Sequence, residues 1–193
     1  MALTHDLDVR VRFDADLQPA HALAALYTRL HLYLARNGTG AIAVSFPETI
    51  RNAAGAARQL GQVIRLHGTS EALTPLTQAA TWGGAATVAN IGTVKALPAG
   101  VSHHRIRRVQ VDSNLERLMR RAMRRKGWTE AEARENYAQA KAGTTALPFI
   151  SISSQSTRES FRLFLDVGGP QEESVEGLFN AYGLSQQATV PYF

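Results

Sequence analysis

An α+β fold follows from three features of the 193-residue chain: period-two alternation of apolar residues at its start, apolar stripes at helical spacing after Pro19 and Ser113, and short alternating runs near its end. Leu7, Val9, Val11 and Phe13 alternate with Asp8, Arg10 and Arg12, the pattern of a half-buried strand. Pro19 suits a first helical position, and Leu23, Leu26, Tyr27, Leu30 and Leu34 then share one face of a helix that Asn37-Gly38 ends. Ile42, Val44 and Phe46 predict a second strand closed by Pro47, and residues 48–60, without a clear period, read as a loop with a helical turn. A strand over 62–67, a helix over 69–80 and a strand over 86–94 follow. The order β-α-β-β-α-β is that of the ferredoxin-like (RRM-like) split βαβ unit, which many RNA-binding modules use.

Residues 95–101, with Pro98 and Gly100, read as a linker, so the chain divides into a domain over 1–95 and a second over 96–193. The second is expected to hold a basic strand from Ile106, a helix from Ser113 to Gly127, and a helix from Thr129 to about Ala142. Ser113 with Glu116, and Thr129 with Glu132, match the capping-box pattern that starts a helix. Strands over 149–154, 161–167 and 177–182 then predict a small antiparallel sheet, and the chain ends on the apolar run Val190-Pro191-Tyr192-Phe193.

Apolar residues make up 45% of the chain, enough for packed cores, and the absence of cysteine excludes disulfides and thiolate metal sites. No segment approaches the 18 or so apolar residues of a membrane span, and the N-terminus lacks a signal-peptide pattern, so a soluble cytoplasmic protein is expected. The net charge of +5 is concentrated: residues 101–126 carry nine Lys or Arg against Asp112 and Glu116, a balance of +7 that leaves −2 for the rest. One basic patch on a near-neutral chain is the footprint of a nucleic-acid site.

The patch is centred on a helix. At 100° per residue Arg117, Arg120, Arg121, Arg124 and Arg125 fall on one arc, with Leu115, Leu118, Met119, Ala122 and Met123 opposite. A solvated surface face is the ordinary origin of such a run. Surface helices, however, commonly interleave acids four residues from their bases, and like charges at that spacing repel. Here Glu116 stands alone against Arg120. Five guanidiniums side by side suit a polyanion, spread over about 12 Å at roughly 1.5 Å per residue. The apolar arc lacks the Trp or Phe of a membrane-surface helix.

Metal chemistry has little support, because the six histidines are scattered and only His103 and His104 are close. Gly38–Gly40 and Gly83-Gly84 lack the context of a phosphate-cradling loop. A protein gripping RNA can instead use the substrate's 2'-hydroxyl as nucleophile, which needs a base and no metal or other cofactor. His31, about 80° from Leu23 at the margin of the apolar stripe, can touch both core and solvent, as a base or as a histidine capping the core's edge. His5, His21, His67, His103 and His104 have no better local case. Ser153, Ser154, Gln155, Ser156 and Thr157 form a hydroxyl-rich strand end, which ordinary turn chemistry also favours.

Motifs along nearly the whole chain resemble one family. They are Leu30-His31, Ala43–Pro47 (AVSFP), Arg108–Gln110 (RVQ), Ser113–Arg121 (SNLERLMRR), Leu147–Phe149 (LPF), Ser154–Thr157 (SQST), Phe161–Phe164 (FRLF), Tyr182–Ser185 (YGLS) and the aromatic end. In order and spacing they resemble the CRISPR-associated endoribonucleases that process precursor CRISPR RNA in subtype I-F systems. The resemblance implies a ferredoxin-like N-terminal domain carrying the catalytic histidine and a C-terminal domain whose arginine-rich helix binds a repeat-RNA hairpin. It implies metal-independent cleavage at the 3' base of the stem, with the mature crRNA retained and other subunits of a crRNA-guided complex as partners. Carried over by motif, His31 is the general base, Ser154 holds the 2'-hydroxyl and Tyr182 orients the imidazole. Arg108 and Gln110 read base edges, a pattern suited to guanine and adenine. Arg117, Arg120, Arg121, Arg124 and Arg125 bind the stem, with Ser156 and Thr157 near the scissile phosphate and Phe161 against the terminal base pair. Two other classes stay open: a non-catalytic module for structured RNA would keep the arginines without needing His31, Ser154 or Tyr182, and a DNA-binding regulator would use the basic helix alone.

Overall fold

The computed structural model of the protein describes residues 3–12, 18–38, 40–111, 115–137, 145–153 and 160–193, with the backbone alone for 115–118, 121 and 137. It is a mixed α+β structure with antiparallel sheets. Two compact units arise, residues 1–109 with 147–193, and residues 110–146.

The larger unit begins with β1 (His5–Val11), α1 (Pro19–Asn37), β2 (Ala43–Ser45), β3 (Ile50–Arg51), β4 (Ala57–Gln59) and β5 (Val63–Gly68). It continues through α2 (Ser70–Leu73), α3 (Ala79–Trp82), β6 (Ala89–Ile91), β7 (Lys95–Ala96), β8 (Ser102–His104) and β9 (Ile106–Val109). The smaller unit holds α4 (Leu115–Lys126) and α5 (Glu130–Tyr137); β10 (Phe149–Ser153), β11 (Ser160–Val167) and β12 (Val190–Tyr192) return to the larger one.

Its main sheet runs β2-β5-β1-β6, all antiparallel, with β7 also on β1. The alternation expected in β1 is present over its described part: Leu7, Val9 and Val11 are buried, and Val9 sits opposite both Ile64 and Ile91, while Phe13 lies outside the described residues. The predicted face of α1 is buried at all five positions. α1 packs on β1 and β5 and also against β10, whose sheet runs β10-β11-β9 and buries Ile150, Ile152, Leu163 and Leu165. β12 pairs with β8, placing Val190 opposite His104.

Five expectations are corrected. Residues 48–60 contain the hairpin β3–β4 rather than a helical turn; Arg51 fixes it by donating to the carbonyls of Gly55 (2.9 Å), Val167 (3.1 Å) and Gly168 (2.7 Å). The helix over 69–80 is three short pieces, because Pro75 lacks an N–H and interrupts the ladder; Thr74–Thr77 takes a 3₁₀ turn between α2 and α3. The strand over 86–94 shrinks to β6, since Gly83–Val88 forms another 3₁₀ turn. The linker is in part β7, which pairs with His5 and Asp6. Residues 177–182 form no strand: Phe179 is buried, and Asn180 opens a turn closed by Gly183 N–H donating to its carbonyl at 2.8 Å.

Candidate functional site

Pro19 at the helix start and the apolar spacing after it put Tyr27 and His31 one turn apart on α1, hence neighbours on one face. Tyr27 is fully buried and His31 half-buried. Both reach the same turn: the Tyr27 hydroxyl donates to the carbonyl of Tyr182 at 2.7 Å, and His31 Nδ1 lies 2.8 Å from the carbonyl oxygen of Ala181. A carbonyl can only accept, so Nδ1 carries a hydrogen. In the neutral ring that leaves the lone pair on Nε2, a tautomer inferred from its partner. The Tyr182 ring stacks on the imidazole, with centroids 4.1 Å apart and planes 8° from parallel.

The Arg108 guanidinium carbon lies 5.4 Å from the Tyr182 ring centre and 5.8 Å from that of Phe161, within the roughly 6 Å range of cation–π attraction. Gln186 donates to the Arg108 carbonyl at 3.0 Å, tying that strand to the segment after the turn. Thus the fold brings together His31, Tyr182, Arg108 and Phe161 out of motifs scattered through the chain. Ser154, Ser156 and Thr157 lie outside the described residues; the described strands stop at Ser153 and resume at Ser160, which pair with each other.

Two other histidines, His67 and His104, are buried. Burial pushes His67 down to about 3, and its Nε2 is engaged with Ser45 Oγ at 2.8 Å. Burial likewise pushes His104 down to about 4. Neither ring is open to a substrate.

In the smaller unit α4 ends at Gly127, whose φ of +67° terminates the helix without strain. Its described side chains divide as the spacing predicts: Ala122 is buried and Met119 and Met123 half-buried, while Arg120, Arg124 and Arg125 are exposed. Among the described residues none of these three arginines pairs with an acid. Ser113, the expected cap, and the side chains of Arg117 and Arg121 lie outside the description. Gln110 is exposed at the start of this unit. The second capping box forms: Thr129 N–H donates to Glu132 at 2.8 Å, and Glu132 N–H donates to Thr129 Oγ1 at 3.3 Å. No helix among the described residues is long and apolar enough to cross a membrane.

The profile of the family described as CRISPR-associated protein (Cas_Csy4) matches residues 7–193. The chain belongs to that family. It is 36% identical over 191 residues to the CRISPR-associated endonuclease Cas6/Csy4 of Pseudomonas aeruginosa (strain UCBPP-PA14), covering 99% of this chain and 100% of the relative. It is 38% identical over 193 residues to the endonuclease of the same description from Escherichia coli (strain UTI89 / UPEC), again covering 99% and 100%. The Cas_Csy4 match bears out the family resemblance drawn from the motifs and spans every one of them.

Sequence reasoning missed Tyr27, Asn180 and the Ala181 carbonyl. Tyr27 reads as one more apolar residue of the α1 stripe, and nothing local marks its hydroxyl. Asn180 did leave a signal: Asn at the first and Gly at the fourth position of Asn180-Ala181-Tyr182-Gly183 is a turn signature.

Proposed function

We propose that the protein is a metal-independent endoribonuclease of the cytoplasm that binds the repeat stem-loop of precursor CRISPR RNA and cuts at the 3' base of the stem. The observation that carries this is the His31 geometry: one ring nitrogen spent on Ala181, the other without a partner among the described residues, and the ring stacked on Tyr182. His31 Nε2 takes the proton of the 2'-hydroxyl before the cut, the oxygen attacks phosphorus, and the P–O5' bond breaks. The 5' oxygen leaves and gains a proton from solvent, giving a 2',3'-cyclic phosphate and a 5'-hydroxyl. Ser154 holds the hydroxyl, Ser156 and Thr157 lie near the phosphate, and Tyr182 keeps the imidazole plane fixed.

The sheet order β2-β5-β1-β6 supports a ferredoxin-like reading of residues 1–95, with residues 96–193 as the RNA-hairpin domain. In that domain Arg108 and Gln110 read bases, Phe161 covers the terminal pair, and Arg117, Arg120, Arg121, Arg124 and Arg125 of the α4 ladder bind the stem backbone. The enzyme stays on the mature crRNA handle and joins the other subunits of a crRNA-guided complex.

Cleavage of a labelled repeat hairpin in excess EDTA, with analysis of product ends, tests the reading. Full cleavage with a cyclic phosphate and a 5'-hydroxyl is expected; loss of cleavage in EDTA, or a 5'-phosphate product, would overturn it. Binding without any cleavage would favour the non-catalytic RNA module.

A further inference from the structure

The peptide unit joining Ala181 to Tyr182 is gripped at both ends. Its carbonyl faces His31 Nδ1 at 2.8 Å, and its N–H donates to Asn180 Oδ1 at 2.8 Å. Because the unit is planar, holding the N–H sets the direction of the carbonyl. Asn180 Oδ1 also accepts from Leu184 N–H at 3.3 Å, and the Asn180 N–H donates to the Leu184 carbonyl at 2.9 Å, so the whole turn closes on this one residue. The next peptide is held from α1: the Tyr27 hydroxyl donates to the Tyr182 carbonyl at 2.7 Å. Burial raises the Tyr27 phenol and keeps it protonated, so it remains a donor. Gly183 closes the turn at φ +70°, and a Cβ there would collide with Val44, whose N–H donates to the Gly183 carbonyl at 2.9 Å.

We propose that Tyr27 and Asn180 are positioning residues that fix the Ala181–Tyr182 peptide and thereby the tautomer of His31, keeping the hydrogen on Nδ1 and the lone pair on Nε2. If the peptide flipped, it would present N–H instead of C=O to the ring, and Nδ1 would have to accept. Nε2 would then carry the hydrogen and could take no proton. This role rests on the reading of His31 as the base.

The test uses the full chain with ¹⁵N-labelled histidine. Ring nitrogen shifts should report Nδ1 protonated and Nε2 bare for neutral His31 in the wild type. Asn180→Ala should give a mixture of tautomers and slow single-turnover cleavage of the repeat hairpin about tenfold, the order of factor one hydrogen bond carries, with affinity unchanged. Asn180→Asp, which keeps both acceptor bonds, should restore tautomer and rate. Tyr27→Phe removes only the hydroxyl, leaves the ring against Phe46 (centroids 5.9 Å), and should move both readouts in the direction of Asn180→Ala. It also serves as the test should Asn180→Ala not fold. Unchanged tautomer and rate in the variants would overturn the proposal. A shifted tautomer with wild-type cleavage would uphold the clamp and overturn His31 as the base.

Discussion

His31 sits half-buried on α1, tied through Nδ1 to Ala181 and stacked on Tyr182, whereas Arg120, Arg124 and Arg125 of α4 stand exposed with no acidic partner among the described residues. The two regions are held in opposite ways because their proposed tasks differ. A base must aim one lone pair at one hydroxyl, so rate depends on orientation. A cation facing a chain of phosphates gains from charge at many positions and needs no single rotamer. α5 sharpens the contrast: its Arg134 is paired with Glu130 at 2.7 Å, the arrangement of an ordinary solvated helix. Among the described residues, unpaired charge, more than charge, marks the α4 face.

The largest effect should come from the oriented region. His31→Ala is expected to slow single-turnover cleavage by about 10² to 10⁴ while leaving hairpin affinity near that of the wild type. A wild-type rate would remove His31 from the chemistry.

A smaller, purely electrostatic effect should come from α4. Replacing Arg120 and Arg124 by Ala should weaken binding at moderate salt and lower the slope of log affinity against log salt by roughly 1.4 to 1.8, two phosphate contacts at about 0.7 to 0.9 each. Ala122, Met119 and Met123 still pack, so circular dichroism should be unchanged. An unaltered slope would return this helix to a solvated surface and blur the distinction from α5.

Acid should loosen the larger unit. His67 and His104 are pushed down by burial to about 3 and about 4, below an unfolded value of about 6.5. Between those limits the unfolded chain binds protons that the folded one excludes. The stability they contribute is therefore complete above about pH 6.5 and falls as pH drops toward 4, by at most about 1.4 kcal/mol per pH unit for each histidine. Denaturant midpoints measured from pH 7 to 4 check this; a flat profile would contradict it.

The smallest effect is expected at Arg134→Ala. Its ion pair with Glu130 is exposed on both sides, and such pairs contribute about 0.3 to 0.5 kcal/mol. Stability should fall by no more than that, and the salt slope of RNA binding should not move.

What was legible in the sequence was local. The five-residue face of α1, the alternation of β1 and the Thr129–Glu132 capping box all depend on neighbours within a turn or a pleat, and all formed. Pro75 was equally local, and the break that its missing N–H imposes falls inside the helix expected over 69–80. Hairpin β3–β4 was not legible, because Arg51 finds its acceptors at Val167 and Gly168. The candidate site divides in the same manner. His31 stood out at the edge of a helical stripe, but its partner is a backbone carbonyl 150 residues away, and no side-chain pattern encodes a carbonyl.

The central claim is that His31 Nε2 activates the substrate's own 2'-hydroxyl, and a single-atom change in the RNA tests it most directly. A repeat hairpin with deoxyribose only at the nucleotide 5' to the cut, compared with the all-ribose hairpin for single-turnover cleavage and for affinity, isolates the nucleophile. Cleavage should be abolished and affinity unchanged, since the arginine contacts are untouched. Cleavage of the deoxy-substituted hairpin at the all-ribose rate would contradict the claim.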